Sequence, residues 1–227
     1  MRQHTHAGAE GRRQKAEAAA AAAAVKLTNS LVKRCSWCTD DPVYIAYHDT
    51  EWGVPSRDPR HLFEMLLLEG FQAGLSWITV LKKRPRFREV LFDFDPEKVA
   101  AMDDGYIDQL MQDPGIIRNR LKLNSSRQNA KAWLQLNDPV ELIWSFVDGA
   151  PKINHNRQHT DVPVVAPEAE VMSRTLKKAG FNFVGPTICY SYLQAIGCIM
   201  DHTTDCHRYE PLSSVSASSR RFTNTGK

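Results

Sequence analysis

Residues 66–78 read LLLEGFQAGLSWI, and within that run Glu69 is the side chain whose type can do chemistry. An unpaired carboxylate is costly to strip of water, so its place after three leucines demands a reason. One reason is a buried ion pair. The other is a ligand. Trp37, Tyr44, Tyr47, Trp52, Phe71 and Trp77 lie near Glu69 and Glu51 in the chain. Such aromatic density builds cores, but it also suits a flat, cationic, hydrogen-bonding ligand through stacking, cation–π attraction and a charge partner.

A second set can bind metal. Cys35 and His48 lie in RCSWCTDDPVYIAYHDTEW, and His202 and Cys206 lie in DHTTDC. Two Cys and two His, with a His-x3-Cys spacing, suit a tetrahedral structural Zn²⁺ that clips the N-terminal segment to the C-terminal one. Cys38 and His207 keep other choices open, because Cys35-x2-Cys38 is itself a ligand pattern. The five cysteines are an odd number. That disfavours a disulfide framework and points to a reducing, intracellular compartment.

A third element is IDQLMQDPGIIRNRLKL, residues 107–123. The Pro-Gly turn fits an ordinary helical hairpin. It also fits a helix-hairpin-helix, in which Gly115 lets backbone N–H groups approach a phosphate while Arg118 and Arg120 add charge. Two basic clusters, Lys82–Arg88 and Arg118–Arg127, fit either solvated helical faces or a nucleic-acid surface.

The elements that must position these groups read as helices. Asp58 caps a helix carrying Leu62, Phe63, Leu66 and Leu67, with Gly70 and Gly74 ending it. Ser76 caps the next, through Ile78, Val80 and Leu81. Asp95-Pro96 opens another. The pattern predicts a long helix over 118–136 with Leu121, Ala130 and Trp133 inward. Helices around Leu142–Phe146, over Val171–Ala179 and from Pro186 to Met200 follow. Val162–Val165 is the one strand-like stretch. The fold class is all-α.

The formal charge of +3 hides an uneven distribution. Residues 1–34 carry seven Lys/Arg against two Glu, and 207–227 carry four against one, which leaves 35–206 near −5. The central part is mildly acidic, so a nucleic-acid reading rests on local clusters rather than on bulk charge. Residues 1–34, with the Ala18–Ala24 run, read as an untargeted basic tail, 35–209 as the helical domain and 210–227 as a polar Ser-rich tail. No apolar run approaches the ~20 residues of a membrane-crossing helix.

The segments RCSW, DPVYIAYHDTEWGVP, LFEMLLLEGFQAGLSWITVLKKR, FDFDPEKVAAM, GIIRNRLKL, NAKAW, WSFV and KKAGFNFVGPTICYSYLQAIGCIMDH resemble the bacterial DNA-3-methyladenine glycosylase I family over about residues 34–209. The resemblance implies a helix-hairpin-helix DNA glycosylase fold with one structural Zn²⁺ held by Cys35, His48, His202 and Cys206. It places base recognition on Glu69 and pocket aromatics on Tyr44, Tyr47 and Trp77 with Trp37 and Trp52 beside them, while the hairpin pattern itself points to DNA contacts at Gly115 and Arg118. The Gly74-Leu75 turn would fill the gap left by an extruded nucleotide. The resemblance implies removal of 3-methyladenine from double-stranded alkylated DNA. With no obvious Lys nucleophile next to the hairpin, water attack by a monofunctional hydrolase is expected, and the chain is expected to act as a monomer. The family lacks the catalytic Asp that most of its superfamily carries after the hairpin. Phe71 and Cys38 depart from the family pattern. A non-catalytic DNA-binding hairpin module, or an unrelated helical zinc protein binding an aromatic cation, would need only part of this set.

Overall fold

The computed structural model describes residues 32–214, and the expectations for the outer parts of both tails lie outside them. Asp41 and Asp58 cap α1 (Pro42–Thr50) and α2 (Pro59–Gln72), each accepting from an N–H two residues on. Both helices place Pro in their first turn, where no N–H is needed. Then come α3 (Trp77–Val90), α4 (Pro96–Ala100), α5 (Asp104–Leu110), α6 (Arg120–Leu134) and α7 (Pro139–Ser145). Strand β1 (Lys152–Ile153), α8 (Pro167–Lys178), α9 (Pro186–Ala195) and strand β2 (Ile199–Met200) follow, and residues 209–214 are helical.

Helix α2 is the axis of the domain. Every residue from Leu62 to Phe71 is buried, Glu64 and Glu69 included. It packs against α3, α6, α7 and α9, which leaves it no solvent face. Gly70 does not end it. A Cβ there would sit 3.4 Å from Phe183, so the small residue serves close packing rather than termination. The chain turns instead at Gly74, whose φ is +78°.

Three more expectations are corrected. Leu121 is 67% exposed, because α6 starts only at Arg120 and turns this position outward; Lys122 and Leu123 take the inner positions. Val162–Val165 forms no strand. The paired strands are β1 and β2, parallel, and Met200 lies in β2 rather than in the last long helix.

Much of the basic sequence is spent internally. Arg84 is buried and donates to Glu64 at 2.9 and 3.0 Å and to Glu51 at 2.7 Å, while Arg88 donates to Glu64 at 2.6 and 3.0 Å. Burial alone would raise the Glu64 carboxyl, but these hydrogen bonds bring it to about 2. Lys33 and Arg34 belong to the packed body: Lys33 O accepts from His207 N at 3.0 Å, and Arg34 grips Asp49 at 2.7–3.1 Å.

Candidate active site and metal cluster

The C-terminal half of α2, the inner face of α1 and the first residue of α3 converge on a cavity of about 340 Å³. Glu69, Tyr44, Tyr47, Trp77, Trp37 and Trp52 all line it. Glu69 is 3% exposed, and its Oε2 has no hydrogen-bond partner. Among the described residues it makes no ion pair, so the salt-bridge explanation of this carboxylate fails. Burial pushes its pKa up to about 8. The indole Nε1 of Trp77 is likewise buried and unpartnered. Tyr47 and Trp77 approach with ring centroids 5.4 Å apart, tilted by 56°. Burial, and then the nearby Glu69 charge, hold the Tyr47 hydroxyl well above the usual phenol range.

The arrangement is an electron-rich slot with one unspent acceptor and one unspent donor. Buried polar atoms are normally paired. Two residues that line one cavity each keep such an orphan, which points to something outside the chain. Glu51 and Phe71, grouped with this cluster on sequence proximity, are elsewhere: Glu51 bonds Arg84, and Phe71 packs on Phe87 at 4.4 Å.

The opposite wall has no counterpart in the sequence reading. Tyr190 and Gln194 of α9 donate to Asp201 Oδ2 at 2.6 and 2.7 Å, while Asn154 and Asn156 donate to Oδ1 at 2.7 and 2.8 Å. Four neutral donors satisfy this buried carboxylate completely. It is a fixed wall rather than a spare base. A strap from His159 to Val164 closes one side of the cavity, with Val164 77% exposed at the rim.

Behind Trp37 and Trp52, Cys35, His48, His202 and Cys206 are all buried, with their donor atoms within 4.8 Å of one another. Cys206 Sγ lies 3.5 Å from His48 Nε2 and 3.4 Å from His202 Nδ1, and Cys35 Sγ lies 3.5 Å from His202 Nδ1. Zinc–sulfur and zinc–nitrogen bonds at a tetrahedral angle give an N···S edge of about 3.5 Å, so the donor spacing fits. The far ring nitrogens are anchored too, His48 Nδ1 on Asp49 at 2.8 Å and His202 Nε2 on the Trp52 carbonyl at 3.0 Å. Such contacts fix the tautomer that presents the other nitrogen to a metal. These four residues could hold a metal ion. Cys38 stays apart, half-buried and turned to the Thr39 carbonyl, and His207 leans on Asp49, so neither joins the set.

The hairpin is formed by α5 and α6 across residues 111–119. Gly115 N is already taken by Asp113 Oδ1 at 2.7 Å, and a Cβ at Gly115 would meet Arg86 Cγ at 2.7 Å. Lysine and arginine brace this turn: Lys83 donates to the Pro114 carbonyl at 2.8 Å and Arg86 to Asp113 at 2.7 Å. The N–H groups of Ile117, Arg118, Arg120 and Leu121 have no acceptor among the described residues, whereas Lys122 N is capped by Asn119. Arg118 is exposed and pairs with no described residue; Arg120 pairs with Asp108. Four N–H groups and one guanidinium without a partner among the described residues thus lie at the start of α6, the end of a helix that suits an anion. Leu75, 41% exposed beside open space at Gly74, projects from the turn between α2 and α3. No helix among the described residues is long and apolar enough to cross a membrane.

Comparison with known proteins gives one answer. The methyladenine glycosylase family model matches residues 37–209. The DNA-3-methyladenine glycosylase 1 of Escherichia coli (strain K12) is 49% identical over 182 residues, spanning 78% of this chain and 97% of the relative. A crystal structure of a 3-methyladenine DNA glycosylase I superposes with a TM-score of 0.76 at 49% identity, covering 77% of this chain and 98% of that one. Another, solved in complex with 3-methyladenine, gives a TM-score of 0.75 at 39% identity, covering 78% and 97%.

Proposed function

This chain belongs to the methyladenine glycosylase family, and on that premise we propose that it extrudes 3-methyladenine from alkylated double-stranded DNA and hydrolyses its glycosidic bond. The observation that carries the reading is Glu69, a buried and unpaired carboxylate in an aromatic cavity. Alkylation at N3 makes adenine cationic. A cationic base entering the slot gives Glu69 the partner it lacks, and its exocyclic amine supplies a hydrogen bond to the carboxylate. Neutral adenine gains far less, so selection happens in the pocket after the nucleotide has left the stack.

The same charge weakens the glycosidic bond, and the departing base is a good leaving group without strong acid catalysis. Water is the nucleophile in this reading, and the enzyme is monofunctional. Lys122, the lysine beside the hairpin, supports that: its Nζ is occupied by the carbonyls of Phe71 and Ala73 and lies outside the cavity lining. The hairpin amides and Arg118 grip a phosphate, and Leu75 fills the vacated place in the duplex. The Cys35, His48, His202, Cys206 set holds Zn²⁺, which with four protein ligands ties the two ends of the domain together and leaves no position for water.

The test is incubation with methylated duplex DNA. Release of free 3-methyladenine, with the strand unbroken until it is treated with alkali, is the expected result. Release of no base would end the reading, and strand cleavage by the protein would end its monofunctional part.

A further inference from the structure

Lys122 is 8% exposed, and no carboxylate among the described residues pairs with it. Its Nζ donates to Phe71 O at 2.9 Å and Ala73 O at 2.6 Å. These are carbonyls at the C-terminal end of α2, where a helix has acceptors without intrahelical donors and a partial negative charge. Burial lowers the lysine pKa, and the two carbonyl oxygens are the acceptors its ammonium meets among the described residues. A buried lysine kept for this contact is costly, and Gly74, with φ +78°, already turns the chain out of α2, so the ammonium is not needed to end the helix.

The placement explains the cost. Lys122 is the third residue of α6, directly after Arg120 and Leu121, whose N–H groups have no acceptor among the described residues. Phe71 and Ala73 lie two and four residues beyond Glu69, and Ala73 immediately precedes the Gly74-Leu75 turn. One ammonium therefore joins three parts: the phosphate anchor, the helix bearing the recognition carboxylate, and the exposed leucine. We propose that Lys122 is a positioning residue that sets the register between the hairpin's grip on the backbone and the entry of Leu75 into the duplex. The proposal rests on the glycosylase reading above.

The experiment compares wild type with Lys122→Met, which keeps the stem and removes the donors. Three quantities are read: single-turnover excision from a duplex carrying one 3-methyladenine, affinity for free 3-methyladenine by tryptophan quenching, and affinity for undamaged duplex. Misplacing a reacting group by about 1 Å can cost 100-fold, so duplex excision should fall on the order of 10- to 100-fold. Free-base affinity and undamaged-duplex affinity should both stay within about twofold, since pocket and hairpin are each intact. Adding Leu75→Ala should be non-additive, because a leucine already removed has no register to lose. Lys122→Leu, which also removes the donors, replaces Lys122→Met should that variant not fold, and is read against the same outcomes. Unchanged excision would overturn the proposal. So would a parallel loss of free-base affinity, which marks a merely structural contact. If wild type itself releases no base, the glycosylase reading fails first, and the two failures are told apart.

Discussion

Glu69 and Trp77 are complementary orphans: a carboxylate oxygen and an indole N–H, both buried, both without a hydrogen-bond partner, on one cavity. Neither can relieve the other, since each remains unpaired in the folded chain.

The Glu69 half is testable by Glu69→Gln, which keeps the shape and removes the charge. Excision of 3-methyladenine should drop on the order of 100-fold, the usual scale for losing one preorganised electrostatic contact. The melting temperature at pH 8 should hold or rise, as is common when a strained functional group is relieved. Wild-type excision with a collapsed melt would mean Glu69 is structural.

A pH profile follows from the same carboxyl. Burial lifts it from 4.5 to about 8. Between those values the native state holds a proton that the unfolded chain has released. The site's stability is thus fully present below 4.5 and is lost as pH rises through 8. Excision at limiting enzyme should climb toward pH 8 as Glu69 ionises. Glu69→Gln should flatten both curves; identical profiles in the variant would assign the titration elsewhere.

Metal analysis addresses the buried Cys/His set. One zinc per chain is expected, lost in Cys206→Ala together with thermal stability. Asp49→Ala, which frees the His48 ring, should weaken metal binding by about 10- to 100-fold. Undiminished zinc in Cys206→Ala would refute the ligand set, and loss of zinc in Cys38→Ala would favour the CxxC pairing despite its geometry here.

At the hairpin, Arg118→Ala should weaken binding to every duplex alike. The slope of log K against log salt should become shallower by about one phosphate's worth. A loss confined to certain sequences would point to base contact instead.

The exposed wedge gives a separate signature. Leu75→Ala should slow excision from duplex by roughly tenfold, since a residue filling the unstacked step is absent, while free-base affinity is untouched. Equal loss on free base would place Leu75 in the pocket rather than at the stack.

The capped helices were legible because Asp58, Asp95 and the first-turn prolines act locally. Glu69 and the four metal-competent residues were legible because their types are conspicuous in context. What stayed hidden depends on contacts distant in sequence. Gly70 resembles a helix stop until Phe183 is packed against it. Arg84 resembles part of a basic surface until Glu51 and Glu64 close over it. The wall around Asp201 and the strap at His159–Val164 meet Glu69 across more than 85 residues of chain, with no local pattern to announce it. Lys122 looks like one more base in a basic run; only its two carbonyls distinguish it.

The hydrogen bond from His207 N to Lys33 O has a mechanical meaning. It lies beside the Lys33–Asp205 and His207–Asp49 pairs, so the two ends of the described body are sewn together within a few residues. Tension applied between them, by a tethered partner or an optical trap, is borne first across this seam. Of the helices that shape the cavity, α2, α3 and α9 contribute no residue to that seam.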